Sequence, residues 1–320
     1  MSELAMEQRK TVTTASSKRW QRFRRYLPLM LMVVPGFIYL LINNYLPMLG
    51  VIIAFKNVNF AKGILGSDWI GFKNFEFLFK TSDAWIITRN TILYNVVFIV
   101  LNFSAAIGAA IVLNEIKNRF MSRFYQSVIL LPHLISTVII GYLVFSLLSM
   151  ETGFMNKTLL PLFGAEEVPW YSEPGYWPYI LTLVSVWKGA GYFCVIFLAA
   201  IVGIDHEYYE AATIDGASKW QQIFKITLPL ITPVIVIMSL IAIGRIFYSD
   251  FGLFYQVPLN AGALTTTTNV IDTYVYRALL NLGDLGMASA AGVYQSLVGF
   301  VLVLGSNYIV RKINKDNALF

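Results

Sequence analysis

The chain has 320 residues, 57% of them hydrophobic and only 13% charged, with a mean hydropathy of +0.63. A soluble domain carries about a quarter charged residues, so this composition excludes one; apolar runs of about 20 residues, the length of a bilayer-crossing helix, recur along the chain and define an integral membrane protein. Lys and Arg number 24 against 18 Asp and Glu, a net charge of +6, and nothing in the pattern calls for nucleic acid.

The basic segment SSKRWQRFRRY (16–26) precedes the first apolar run. That run is too long for a signal-peptide core and no small-x-small cleavage site closes it, so it reads as an uncleaved span. Six helical spans are expected, at 27–54, 86–113, 124–148, 178–202, 230–253 and 287–310, because backbone groups in lipid must bond within their own segment. Pro35 beside Gly36 suggests a bend in the first span, and Pro132 shapes the start of the third. SAAIGAA (104–110) and MASAAG (287–292) read as faces for close helix packing.

Charge in the connecting segments sets the orientation. With a cytoplasmic N-terminus, the inner segments hold Arg9, Lys10, Lys18, Arg19, Arg22, Arg24, Arg25, Lys117, Arg119, Arg123, Lys219, Lys225, Arg311, Lys312 and Lys315. The outer ones hold only Lys56, Lys62, Lys73, Lys80, Lys157 and Arg277. Both termini are therefore expected inside, with Trp69, Trp85, Trp170 and Trp177 near the outer interface and Trp20 near the inner one. The expected organisation is a cytoplasmic basic tail (1–26), a transmembrane unit (27–310) carrying a cytoplasmic loop at 204–229, and a cytoplasmic C-terminal tail (311–320). The outer loops are too short for an independent core.

Cys194, the single cysteine, lies in an apolar run, and His133 and His206 are far apart with no metal-ligand spacing. No GxxxxGK[ST] phosphate loop occurs. No catalytic residue, metal or cofactor is assigned to this chain.

The loop EYYEAATIDGASKWQQIFKITLP (207–229) interrupts the apolar pattern. Asp205 can cap a first short helix, with Glu207 and Glu210 at its positive end. Asp215-Gly216 signals a reversal, and Ser218 and Gln221 have capping-box spacing for a second helix. Pro229 suits the start of the fifth span. The product is a rigid helix-turn-helix knob on the inner face.

Glu210, Ala211, Ala212, Gly216, Ile226, Leu228 and Pro229 match EAA-x3-G-x9-I-x-LP. In that signature the chain resembles the permease subunits of binding-protein-dependent ABC importers. WIGFKNFEFLF (69–79), LPHLIS (131–136), VWKGAGY (186–192) and NYIVRK (307–312) extend the resemblance to the maltose-permease-like, carbohydrate-uptake branch, including permeases for complex saccharides of the alginate type. The resemblance implies a type I permease fold in the bacterial cytoplasmic membrane. It also implies a second, different permease chain, two ATPase subunits that bind ATP and Mg, and an extracytoplasmic solute-binding protein. The loop, with Asp215 beside the signature residues, is then the helix that couples to an ATPase.

Ionisable residues inside spans default to functional candidates. Lys188 lies mid-span, near Tyr192, and GRIFYSDFG (244–252) places Arg245, Tyr248 and Asp250 on the fifth span. Two roles compete. These residues line a wet path and meet a sugar's hydroxyls, carboxylates or ring faces; or Arg245 pairs with Asp250 or another helix while Lys188 snorkels. Tyr274, Tyr276 and Arg277 fit an interfacial belt or a contact with substrate or binding protein. An ion-coupled secondary transporter is the alternative, requiring broken helices and buried carboxylates; a membrane-embedded enzyme lacks any nucleophile or acid–base set.

Overall fold

The computed structural model of the chain describes residues 26–76, 80–281 and 283–313. Arg9, Lys10, Lys18, Arg19, Trp20, Arg22, Arg24, Arg25 and Lys315 lie outside the described residues. The first span is α1 (Tyr26–Phe55). A two-residue antiparallel pair, β1 (Lys56–Asn57) with β2 (Asp68–Trp69), follows it. Next come α2 (Ser82–Asn114), α3 (Arg119–Leu134), α4 (Thr137–Leu148) and α5 (Trp177–Val202). The chain continues through α6 (Glu207–Ile214), α7 (Lys219–Gly244), α8 (Phe251–Gln256), α9 (Ile271–Asn281) and α10 (Leu285–Ile313).

Five of these helices, α1, α2, α5, α7 and α10, are long and apolar enough to cross a membrane. The sixth expected span is not straight: α3 and α4 meet at 93°. Local chemistry accounts for the break. Pro132 lacks the N–H for its turn of α3 and weakens the helix there, Ile135 is extended, and the Ser136 hydroxyl caps α4 by accepting from Val138 N–H at 3.3 Å.

The fifth span also departs from expectation. It begins at Lys219, about ten residues before Pro229, and stops at Gly244, so Arg245 and Asp250 stand on either side of a non-helical break and not on one helix. Pro229 lies inside α7. It is tolerated because the preceding residues, Ile223–Thr227, widen into a π-helix, which absorbs the missing N–H and the ring's clash with the turn before it. The same device recurs: π stretches at Leu41–Tyr45 and Met155–Leu159 each end two residues before a proline, Pro47 and Pro161. In α1 the helix runs through Pro35-Gly36 and its irregularity falls at Leu41–Tyr45.

α2 and α5 form the centre of the bundle, where Phe103, Ala106 and Ala110 pack on Cys194 and Phe197. The small-residue runs do the packing foreseen for them: Ala106, Ala110, Ala290 and Ala291 are fully buried. Gly191 lets α5 lie directly on the α3 backbone at Ile129, where a Cβ has no room. Gly141 does the same for α4 against α8; a Cβ there would stand 2.6 Å from the Gln256 carbonyl. α1 is different, exposed at every residue from Tyr26 to Leu49.

Candidate functional site: a docking knob and a broken-helix charge cluster

The knob begins at α6. The Asp205 carboxylate accepts from Glu207 N–H at 3.1 Å, so Asp205 caps the helix from just outside it. Glu207 and Glu210 occupy the first turn, where the helix dipole favours anions. At the other end Gly216 takes φ +77°. Ala217 N–H reaches Ala212 O at 2.8 Å and Gly216 N–H reaches Thr213 O at 3.1 Å, the paired bonds of a Schellman C-cap. The capping box then starts α7: Ser218 N–H donates to Gln221 Oε1 at 2.7 Å and the Ser218 hydroxyl accepts from Gln221 N–H at 3.4 Å.

Two contacts tie the helices of the knob together. Buried Gln222 donates to Thr213 Oγ1 at 3.0 Å, and the Tyr209 and Thr227 hydroxyls share a hydrogen bond of 2.9 Å. Lys219 pairs with Glu115 at the end of α2 at 2.9 Å. From the capping box, α7 runs unbroken through Ile226, Leu228 and Pro229 into the bundle. Glu210, Ala211, Asp215 and Gly216 are exposed, Ala212 is half-buried, and Ile214 and Trp220 stand out as large exposed side chains.

The second cluster lies where the fifth span breaks. Polar side chains from three neighbours satisfy the unwound backbone at 245–250. Asn95 of α2 donates to Ile246 O at 2.9 Å, Gln295 of α10 donates to Phe247 O at 2.7 Å, and the Asp272 carboxylate of α9 accepts from Ser249 N–H at 2.7 Å. Irregular backbone packed inside a bundle requires such partners. Burial holds the Asp272 carboxyl above its ordinary range, an effect the Ser249 and Gln295 hydrogen bonds partly offset. Asp250 Oδ1 caps α8 by accepting from Leu253 N–H at 3.1 Å.

Asp250 does not pair with Arg245. Its Oδ2 faces Lys188 Nζ at 3.5 Å, and the lysine side chain is 19% exposed against 49% for the aspartate. Lys188 therefore has a carboxylate partner and does not snorkel unpaired. The Arg245 side chain is exposed and makes no hydrogen bond or ion pair among the described residues. Tyr192, one turn along α5 from Lys188, stacks on His133 at 4.9 Å, and the Tyr248 hydroxyl shares a hydrogen bond with Ser296 at 2.8 Å. The structure thus joins Lys188 to Asp250 and places Tyr192 and Tyr248 against other partners. Arg277 bonds Asn260 at 3.1 Å and Asn269 at 2.9 Å, and Tyr276 packs with Phe251 and Tyr255. Both residues tie the 251–281 segment to itself.

Asn95, Asp272 and Gln295 have no role assigned from the sequence, and His133 is weighed there only as a metal ligand. A lone Asn in LYNVVF or Gln in VYQSLV was the available signal, since an amide in an apolar run needs a backbone or side-chain partner. No group of three or more His, Cys, Asp or Glu capable of holding a metal occurs among the described residues.

Helices long and apolar enough to cross a membrane, two of the expected spans broken within the bundle, and a capped knob continuous with one such helix are the frame of a membrane permease. Residues 103–315 match the family of the binding-protein-dependent transport system inner membrane component, and the chain belongs to that family. It is similar to Protein LplB of Bacillus subtilis (strain 168), with 34% identity over 289 residues covering 90% of each chain. The polygalacturonan/rhamnogalacturonan transport system permease protein YteP of the same organism is 35% identical over 288 residues, 90% of this chain and 89% of that one. Among solved structures, a bacterial ABC transporter involved in import of the acidic polysaccharide alginate superposes with a TM-score of 0.84 at 33% identity, covering 93% of this chain and 99% of the other. The family to which the EAA signature pointed is the family to which the chain belongs.

Proposed function

We propose that this chain is one of two permease subunits in an ATP-driven importer that takes up an oligo- or polysaccharide delivered by a solute-binding protein, an acidic saccharide of the alginate or polygalacturonan kind. The second permease is a different chain. Two ATPase subunits, carrying ATP and Mg, dock on the cytoplasmic knob, and both termini of this chain lie on that side. Closure of the ATPases moves Glu210, Ala211, Ala212, Asp215 and Gly216, and α7 carries the motion past Ile226, Leu228 and Pro229 to the break at 245–250. Lys188, Tyr192, Arg245, Tyr248 and Asp250 line the saccharide path.

The observation that carries this reading is the geometry of the knob: capped at both ends of α6, boxed at the start of α7, and continuous with a span. A loop that only joined two spans needs none of these devices. The acidic substrate rests on the relatives named for polygalacturonan and alginate, together with the cations Lys188 and Arg245 at the break.

The test is copurification with the ATPase and partner-permease subunits, comparing wild type with Glu210→Lys and Gly216→Pro. Loss of ATPase association, or of ATP hydrolysis stimulated by the binding protein, in variants recovered as folded membrane protein is the expected result. Unchanged assembly and uptake in both variants would reduce the knob to a linker.

A further inference from the structure

The ion pair between α5 and the break after α7 has an unusual division of labour. Asp250 Oδ1 is committed to capping α8, through Leu253 N–H at 3.1 Å, whereas Oδ2 holds Lys188 only at 3.5 Å. The contact to lysine can therefore part without unwinding the helix that the aspartate caps. The two ends also differ in access: the aspartate is about half exposed while the lysine is largely enclosed. A lysine at that depth left without an anion is strongly disfavoured, so whatever displaces Asp250 must itself be anionic.

We infer that Lys188 and Asp250 form an exchangeable latch, in which a carboxylate of the passing saccharide replaces Asp250 on the Lys188 ammonium. This rests on the saccharide-importer reading above and adds to it a device that selects for charge. An acidic sugar opens the latch and gains the contact to Lys188; a neutral sugar passes with the pair closed and gains nothing from Lys188. No covalent bond changes and no proton moves. Tyr192 and His133 fix the neighbouring wall: their stacked rings lie one helical turn from Lys188 and keep the α5 face beside the latch in place.

A latch and a packing bond make opposite predictions for single substitutions. If the pair only fixes helix packing, Lys188→Gln and Asp250→Asn damage the same bond and shift transport in the same direction. If the pair is a latch, they oppose one another. Lys188→Gln removes the site for the substrate anion, and uptake of an acidic probe falls about tenfold or more. Asp250→Asn keeps the cap on α8, because the amide oxygen still accepts from Leu253 N–H, and it removes the competitor, so the apparent KM for the acidic probe falls about threefold or more.

The measurement is uptake by the full complex in proteoliposomes, with alginate and polygalacturonate pentasaccharides as acidic probes and the fully methyl-esterified polygalacturonate pentasaccharide as the uncharged one. Opposite shifts on an acidic probe, with the ester changed less than twofold by Lys188→Gln, are expected. Should Lys188→Gln fail to assemble, the Lys188→Gln/Asp250→Asn double variant retains a neutral hydrogen-bonding pair and is expected to show the same loss confined to the acidic probes. Shifts in one direction, or equal loss for acid and ester, would overturn the latch while leaving the importer intact. Wild type that carries the ester but neither acid also overturns it. Wild type that carries no saccharide at all defeats the importer reading, and the latch falls with it.

Discussion

Gly216 and Gly191 are required for different reasons, and substitution separates them. At Gly216 a Cβ would meet nothing within 4 Å, so only the backbone angle, φ +77°, resists a side chain. Gly216→Ala should then cost roughly 1–2 kcal/mol locally and accelerate hydrogen exchange of the Ala217 amide, whose bond to Ala212 O depends on the turn. Gly216→Asn should cost less, because Asn tolerates the left-handed region. At Gly191 the added atom meets the backbone of Ile129, which cannot rotate away. Gly191→Ala should lose stability at the upper end of the roughly 1–3 kcal/mol seen for overpacking, read as a lower thermal-denaturation midpoint in detergent. Gly203→Ala, where the nearest atom is 3.4 Å away, is the matched control and should hardly change it. The first glycine was legible in the sequence, because Asp-Gly before a capping box is a local signal. The second was not, since a helix-to-helix approach depends on which helices meet. For the same reason Asp250 could not be assigned its partner: Arg245 is five residues away in sequence, but the break turns the two apart and Lys188 is the cation that α5 delivers.

Breaks in the helices are the least legible feature of the fold. The expected spans at 124–148 and 230–253 are continuous apolar runs by composition, yet each is interrupted in the bundle. The first breaks at Pro132 and the Ser136 cap; the second is sustained by tertiary contacts, since Asn95, Asp272 and Gln295 accept and donate where the helix does not, and a hydropathy profile carries no trace of that supply. Broken helices are also the feature expected of an ion-coupled transporter. Here, however, Asp250 already has Lys188, and the half-buried carboxylate of Asp272 holds backbone. The Pro229 signal was readable but pointed to the wrong consequence, a helix start, since the π stretch before it keeps the helix running, as those before Pro47 and Pro161 do. Asp272 yields a pH prediction. A carboxyl whose pKa is raised by burial binds its proton more tightly in the folded chain than in the unfolded one. Folding stability therefore falls as pH rises from the ordinary value of 3.8 through the raised one. Asp272→Asn removes that titration and can still accept from Ser249 N–H through its amide oxygen. Its thermal midpoint should thus vary less than wild type's as pH is raised from about 3.8. Parallel curves for the two proteins would mean that the Asp272 carboxyl does not titrate across this range.

Orientation is a property of the whole molecule, and the charge asymmetry of the connecting segments makes a claim about it that the packing of helices does not. Because α7 joins the knob to the bundle without a break, the knob and the 149–176 segment should lie on opposite sides of the membrane if α5 crosses it once. The single cysteine makes this directly measurable. Cys194 is 1% exposed, between α5 and α2, so unsubstituted protein should give little background with a membrane-impermeant maleimide. Ile214 in the knob and Phe163 in the 149–176 segment are 87% and 80% exposed and have no packing role to lose. Ile214→Cys should label only in inside-out vesicles and Phe163→Cys only in intact spheroplasts. Labelling of both from one side would mean that α5 does not span, and the six-crossing arrangement would fail with it. Labelling from opposite sides but in the reverse sense would keep the bundle and overturn the positive-inside assignment. The knob would then face away from ATP, and its role as the coupling element would be untenable. The two-residue comparison thus tests the orientation read from scattered lysines and arginines together with the lever, because α5 separates the two labelled sites and α7 continues the knob into the bundle.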